Sequence, residues 1–282
     1  MRNYWLLLCV FFVACQKNDL QDPGGSVSMT ILNVSYGNDA AQKMDVYLPA
    51  NRDVNNTRVV IMLHGGAWIS GDKTDFNPYA DSMKRRLPDF AIFNINYRLS
   101  SNGNNTFPAQ EMDVKAAFDF IYSKKNEYAI SDKIVLIGAS AGAHLALLQG
   151  YKYSSPVKVK AIVDFFGPTD INDLYYNPPS SLITPSLIAS IVGGTPLSHP
   201  DLYHDSSPIN FAGAQSPPTL IFQGGLDPLV SVSQSTSLRD ILQSSGIPHQ
   251  YVFYPDEGHG WEGATLSDSF DKIQAFLAIH VP

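Results

Sequence analysis

The pentapeptide Gly138-Ala139-Ser140-Ala141-Gly142 stands between an apolar run, Lys133–Ile137, and a small-residue stretch, Ala141–Gln149. A serine at a sharp strand-to-helix turn is held in a strained conformation that lifts its hydroxyl above the sheet edge, and flanking glycines let neighbouring elements pass close by. A serine hydroxyl is a poor nucleophile at neutral pH, so it needs a general base, and the base needs an orienting carboxylate. Seven histidines are available. His259, in Glu257-Gly258-His259-Gly260-Trp261, follows the last strand-like run and is the expected base. His144, four residues after Ser140 on the same helical stretch, reads as a packed or partner-bonded residue, and His64 as an anchor of its own loop. Asp227, in Gly224-Gly225-Leu226-Asp227-Pro228, is the expected acid. Asp256 and Glu257 are its rivals, but a carboxylate so close in sequence to the base must fold back sharply to orient it. The chain order Ser140, Asp227, His259 suits acyl transfer by a nucleophile elbow.

Attack on a carbonyl creates an oxyanion, which fixed N–H donors must meet. His64-Gly65-Gly66-Ala67-Trp68 follows the apolar run Arg58–Leu63, and its glycines allow close backbone approach. One donor is expected from among the N–H groups of Gly65, Gly66 and Ala67, and a second from Ala141. Trp68, Tyr175 and Tyr176 offer flat amphipathic rings suited to sugar or phenolic faces, with their polar tips wet, or else simply pack the fold.

These motifs need a scaffold. Met29–Tyr36 and Met44–Leu48 flank a polar turn and read as an opening hairpin. Arg58–Leu63, Phe90–Tyr97, Lys133–Ile137, Lys160–Phe166, Thr219–Gln223 and His249–Tyr254 are strand-like, mostly as unbroken apolar runs. Such runs mark a parallel sheet covered on both faces. Pro108–Tyr122, Ala141–Gln149, Ser231–Ser245 and Leu266–His280 are expected helices between them. Residues 172–210, rich in Tyr, Pro and Ser with a short apolar helix near Leu187–Val192, read as a cap over one end of the sheet.

Taken together and in this order, the motifs resemble the hormone-sensitive-lipase-like esterases. They are HGGAW with Ser70-Gly71-Asp72-Lys73, Asn96-Tyr97-Arg98-Leu99, Phe107-Pro108-Ala109, Asp113-Val114-Lys115-Ala116-Ala117, GASAG, Gly224 to Pro228, and EGHGW. Within that group the chain most resembles the feruloyl and acetylxylan esterases with an HGGxW loop, over roughly residues 40–280. Ala67 departs from the commoner HGGG form. The resemblance implies an α/β-hydrolase fold, with a mostly parallel eight-stranded sheet and a small cap. It implies carboxylic-ester hydrolysis through an acyl-enzyme, on acetyl or hydroxycinnamoyl esters of plant polysaccharide such as xylan. No metal or organic cofactor is called for. Formamidases and dipeptidyl peptidases share the fold, and a catalytically silent glycan-binding protein is the reading from another class.

Composition bounds these expectations. The 282 residues are 44% hydrophobic, and the formal charge is −7. A chain of that length buries about three quarters of its unfolded surface and needs no staple. The acidic balance argues against a nucleic-acid partner, which wants a basic stripe. Arg2 precedes an apolar run from Trp5 to Cys15, which suits a signal-peptide core and is too short to span a bilayer. Phe12-Val13-Ala14-Cys15 looks like a lipobox, so residues 1–14 are expected to be a signal, Cys15 the lipid acceptor and residues 15–28 a tether. The hydrolase domain then runs over 29–282. The chain is expected in an exported bacterial envelope, touching membrane only through that anchor. Its two cysteines, Cys9 and Cys15, leave the mature domain without a disulfide.

Overall fold

The computed structural model describes residues 26–282. The expected signal segment, Cys15 and the tether as far as residue 25 lie outside the described residues.

Eight strands form one sheet in the order β1-β2-β4-β3-β5-β6-β7-β8. They are β1 Met29–Ser35, β2 Lys43–Leu48, β3 Arg58–Leu63, β4 Phe90–Ile95, β5 Ile134–Ala139, β6 Ala161–Phe165, β7 Thr219–Gly224 and β8 His249–Tyr254. β1 pairs antiparallel with β2, with a register shift between Ile31 and Val34, and β2 pairs antiparallel with β4. From β4 to β8 every pairing is parallel. The helices are α1 Asn77–Arg86, α2 Ala109–Ser123, α3 Lys125–Tyr128, α4 Ala141–Lys152, α5 Ile171–Tyr176, α6 Pro185–Val192, α7 Pro200–Asp205, α8 Val232–Ser244 and α9 Gly263–His280.

The unbroken apolar runs are buried on both faces because successive side chains of a strand point to opposite sides. Val59, Ile61 and Leu63 of β3 join a core that also holds residues of α2, α4 and α8. Val60 and Met62 join the opposite layer, with Met83 of α1 and Phe270 of α9. The cap segment folds as α5, α6 and α7 and rests on the first face through Ile171, Leu174, Ile188 and Tyr203. Four helices have no counterpart in the sequence reading. α1, with the sequence NPYADSMKRR, buries only Ala80 and Met83, too thin an apolar stripe to announce a helix. α3, α5 and α7 span six residues or fewer, below the length at which helical periodicity is legible.

Polar residues hold the loop that leaves β3. Lys73 Nζ bonds Asp45 Oδ2 at 2.8 Å, and both side chains are almost wholly buried. Asn96 Nδ2 donates to Asp72 Oδ2 at 2.6 Å, and Lys73 N donates back to Asn96 Oδ1 at 2.5 Å. Arg98 grips Asp113 through Nε and Nη2, at 2.8 and 2.6 Å. Removing one partner of a buried pair strands the other charge, which costs about 3–5 kcal/mol. Asp45→Ala and Lys73→Met should each lower the unfolding free energy by about that amount in urea titrations. A loss below about 1 kcal/mol in both, the scale of an exposed pair, would show that the pair does not hold the loop.

Candidate active site

Ser140 joins β5 to α4 with φ 55° and ψ −124°. A residue carrying a Cβ pays steric strain there, so the surroundings must impose the turn. They do so by backbone contact. A Cβ on Gly142 would stand 2.1 Å from the Leu63 carbonyl oxygen, and one on Gly138 would stand 2.4 Å from the Gly142 carbonyl. Both positions therefore demand glycine. Ser140 N donates to Phe165 O at 2.8 Å, tying the turn to the neighbouring strand. Serine at a helix start usually caps it. Here the hydroxyl makes no cap bond and is left for chemistry.

Asp227 and His259 come together from the loops after β7 and β8. His259 Nδ1 lies 2.8 Å from Asp227 Oδ2, with the Asp227 side chain wholly buried and that of His259 14% exposed. Asp227 Oδ1 accepts from Leu229 N at 2.8 Å and Val230 N at 2.9 Å. Gln223 Nε2 approaches Oδ2 at 3.3 Å, and Gln223 is itself held by Ser235 Oγ at 2.7 Å. An ionised carboxylate accepts only, so His259 Nδ1 carries the proton and Nε2 is left as an acceptor. The two loops meet through backbone: Leu226 N donates to Glu257 O at 2.9 Å, and a Cβ on Gly224 would stand 2.2 Å from Gly258 O. The His259 ring packs on Phe166, centroids 4.5 Å apart. Asp256 is exposed, and the carboxylate at His259 is that of Asp227. Ala139 and Gly260, the neighbours of Ser140 and His259, line one pocket. Gln223 and Phe166 escaped the sequence reading. Their one signal is their position at the carboxyl end of β7 and just past that of β6, where ligands meet parallel sheets.

The HGGAW loop lies against the serine. A Cβ on Gly65 would stand 3.3 Å from Ser140 Cβ and 3.1 Å from Ala139 O. Gly66, Ala67 and Trp68 all have positive φ, at 113°, 50° and 60°. The tight turn is closed by Ile69 N and Ser70 N, both donating to Gly66 O at 3.1 and 3.0 Å. Ala141 contributes the first N–H of α4, one of those that helix geometry leaves without an internal acceptor.

Trp68 corrects an expectation. It is not a wet ring facing substrate but a plug, 4% exposed. Its Nε1 donates to His144 Nδ1 at 3.2 Å, so His144 Nε2 carries the proton and donates to Ser206 O at 2.6 Å. Burial pulls the His144 pKa down to about 3, keeping the ring neutral. This relay fastens the loop, α4 and the cap to one another. His64 stacks on Tyr97, centroids 4.4 Å apart, while Tyr97 Oη donates to His64 O at 2.8 Å. Tyr175 is half-buried against Tyr203 at 5.7 Å, and Tyr176, 59% exposed, packs edge-on against Tyr175 at 5.0 Å.

Asp164 on β6 is wholly buried. Its Oδ1 accepts from Gly167 N at 2.7 Å, and among the described residues Oδ2 meets no donor. Desolvation pushes its pKa up to about 7. Among the described residues no group of three His, Cys, Asp or Glu side chains is gathered to hold a metal ion.

The arrangement can activate a hydroxyl, accept its proton and steady an oxyanion beside it. Comparison with known proteins finds esterases among those similar to this chain. The BD-FAE family model matches residues 44–242. Esterase LipC of Mycobacterium tuberculosis is 27% identical over 86% of this chain, which spans 64% of that esterase's length. Kynurenine formamidase of Meyerozyma guilliermondii is 30% identical over 77% of this chain and 82% of its own. Among solved structures, a truncated carbohydrate esterase from gut microbiota superposes with a TM-score of 0.72 at 26% identity, covering 89% of this chain and 97% of that one.

Asp164 makes a pH prediction. A carboxyl whose folded pKa is raised binds its proton in the folded state where the unfolded chain has lost it. Its contribution to stability is present below about pH 4, the unfolded value, and is lost as pH rises to about 7. Asp164→Asn keeps the neutral form at all pH. Urea titrations at pH 5 and pH 8 should therefore show wild type losing more stability over that interval than the variant. Equal slopes would mean that Asp164 is ionised throughout.

Proposed function

The chain belongs to the BD-FAE family and has the α/β-hydrolase fold, and from that premise we propose that it is a serine carboxylesterase acting on short acyl or hydroxycinnamoyl esters of plant polysaccharide. The observation that carries this reading is the strained Ser140 turn standing at the same sheet edge as the buried Asp227–His259 pair. Ser140 Oγ attacks the ester carbonyl while His259 Nε2 takes its proton, then returns it to the departing alcohol. Asp227, held by two backbone N–H groups, keeps the imidazole in the productive tautomer and stabilises its charged form. The N–H of Ala141 and those of the Gly65–Ala67 turn meet the oxyanion, an effect worth about 2.7–4 kcal/mol for a single donor elsewhere. Water, activated by His259, then attacks the acyl-enzyme and releases the acid. The carbohydrate substrate is supported by the likeness to a carbohydrate esterase at 26% identity. Kynurenine formamidase, 30% identical, supports a second reading, formamide hydrolysis by the same groups. Release of acetate or ferulate from esterified xylan, measured against formate release from an N-formyl arylamine, decides between them.

Triad members act as a unit, so their losses do not add. Ser140→Ala and His259→Ala should each lower kcat by on the order of 10⁶, and the double variant should be little worse. Multiplicative losses would separate the two residues functionally.

From the lipobox-like Phe12-Val13-Ala14-Cys15 we propose further that the protein sits in a bacterial envelope, anchored by lipid on Cys15. Cys15→Ala should then move it from the membrane to the soluble fraction without loss of ester turnover. A wild-type protein that is already soluble and begins past residue 15 would point to an ordinary secretion signal instead.

A further inference from the structure

Phe166, just past the carboxyl end of β6, has φ 45°. A bulky side chain rarely takes that conformation, and it persists only where the surroundings impose it. Two hydrogen bonds do so. Phe166 N donates to Phe222 O of β7 at 2.8 Å, and Gly167 N donates to Asp164 Oδ1 at 2.7 Å. Helix α4 closes the other side, where a Cβ on Gly167 would stand 2.8 Å from Ala143 Cβ. The turn changes where the ring goes. Successive residues of a regular strand point to opposite faces, yet Phe165 and Phe166 pack in the same layer. That places the Phe166 ring against the loop after β8, 4.5 Å from the His259 ring.

The base needs such a support. His259 sits between Gly258 and Gly260, and a Cβ on Gly260, whose φ is 117°, would meet nothing within 4 Å. The backbone around it is therefore free on that side. The hydrogen bond to Asp227 fixes the imidazole at Nδ1 alone. About that point the ring can still pivot and carry Nε2 away from Ser140. Phe166 is itself firmly held. It is 8% exposed, Trp261 packs edge-on against it at 5.3 Å, and Trp261 Nε1 donates to Ser269 Oγ of α9 at 2.9 Å.

We propose that Phe166 is a positioning residue for the base: its ring stops the His259 imidazole from pivoting about the Asp227 bond and keeps Nε2 turned toward Ser140. The inference rests on the serine-hydrolase reading above and adds a residue to it. Glycine would take φ 45° without strain, so the strained backbone is accounted for by what the ring does. The same turn also serves the nucleophile, since Phe165 O accepts from Ser140 N. One short segment after β6 thus touches both reacting residues.

The test compares wild type with Phe166→Leu, Phe166→Gly, Phe166→Ala and Phe166→Tyr. Two rates are read: turnover of p-nitrophenyl acetate, and covalent labelling by a fluorophosphonate, which needs only an activated serine. Phe166→Leu should lower kcat and the labelling rate at least tenfold each, with KM within twofold of wild type. Phe166→Tyr, which keeps the ring, should restore both rates to within threefold of wild type. Phe166→Gly should be impaired as far as Phe166→Leu and yet unfold at a higher urea concentration than Phe166→Ala, because glycine relieves the positive φ. It remains informative should Phe166→Leu not fold. Losses below tenfold in a folded Leu or Gly variant would overturn the assignment. So would a KM that rises as steeply as kcat falls, since the ring would then be touching substrate, or a Tyr variant as impaired as Leu. Wild-type ester turnover reports on the esterase reading by itself, while the labelling comparison stands whichever acyl compound is the substrate. A wild-type protein that neither labels nor turns over ester would overturn both.

Discussion

The site depends on how closely the start of α4 approaches the end of β3. Gly142 lies so near the Leu63 and His64 carbonyls that no side chain fits between them. That contact pins the first turn of α4 over the sheet, and Ser140 must take a positive φ to reach it. The strain is local and the compensation is distributed over a fully buried sheet that cannot relax around it. The same contact brings Gly65 against the serine, so nucleophile and oxyanion turn are set by one constraint.

A second layer of polar contacts keeps the oxyanion turn in place. The Gly66–Trp68 turn has three successive positive φ values and cannot stand by its own propensity. Trp68 plugs it into the core through neutral His144, and Tyr97 holds the His64 carbonyl. Asp72, Lys73, Asn96 and Asp45 tie down the outgoing chain. The family-like motifs SGDK and NYRL are thus scaffold for the turn, and their work is done at a distance from the reacting atoms.

The acid and base are built differently. The Asp227 side chain is wholly buried, yet Leu229 N, Val230 N, Gln223 and His259 satisfy its oxygens. A buried charge is tolerable when its hydrogen bonds are complete. Asp164, two strands away from the edge, is the contrast: one oxygen has no donor, and the carboxyl holds its proton up to about pH 7 instead. Two buried aspartate side chains thus differ in how their oxygens are met, because their local donors differ.

The strands, the main helices and the pairing of Asp227 with His259 were legible in sequence, because solid apolar runs and glycine-bounded turns are local signals. Apolar runs such as those of β3 and β5 can bury both faces in only one kind of sheet. Gly142 announced close approach through its place in the pentapeptide around Ser140. Other features have no local signature. α1 draws its stability from packing two residues against α9's layer, not from its own pattern. Trp68 reads equally well as a substrate ring or a plug until His144 and Ser206, 62 residues apart in sequence, are seen to meet. Sequence determined which residues had the chemistry for the site; only the tertiary structure decided which aromatic faced the core and how the loops after β7 and β8 met. Those outcomes depend on distances between segments far apart in the chain, which no local pattern encodes.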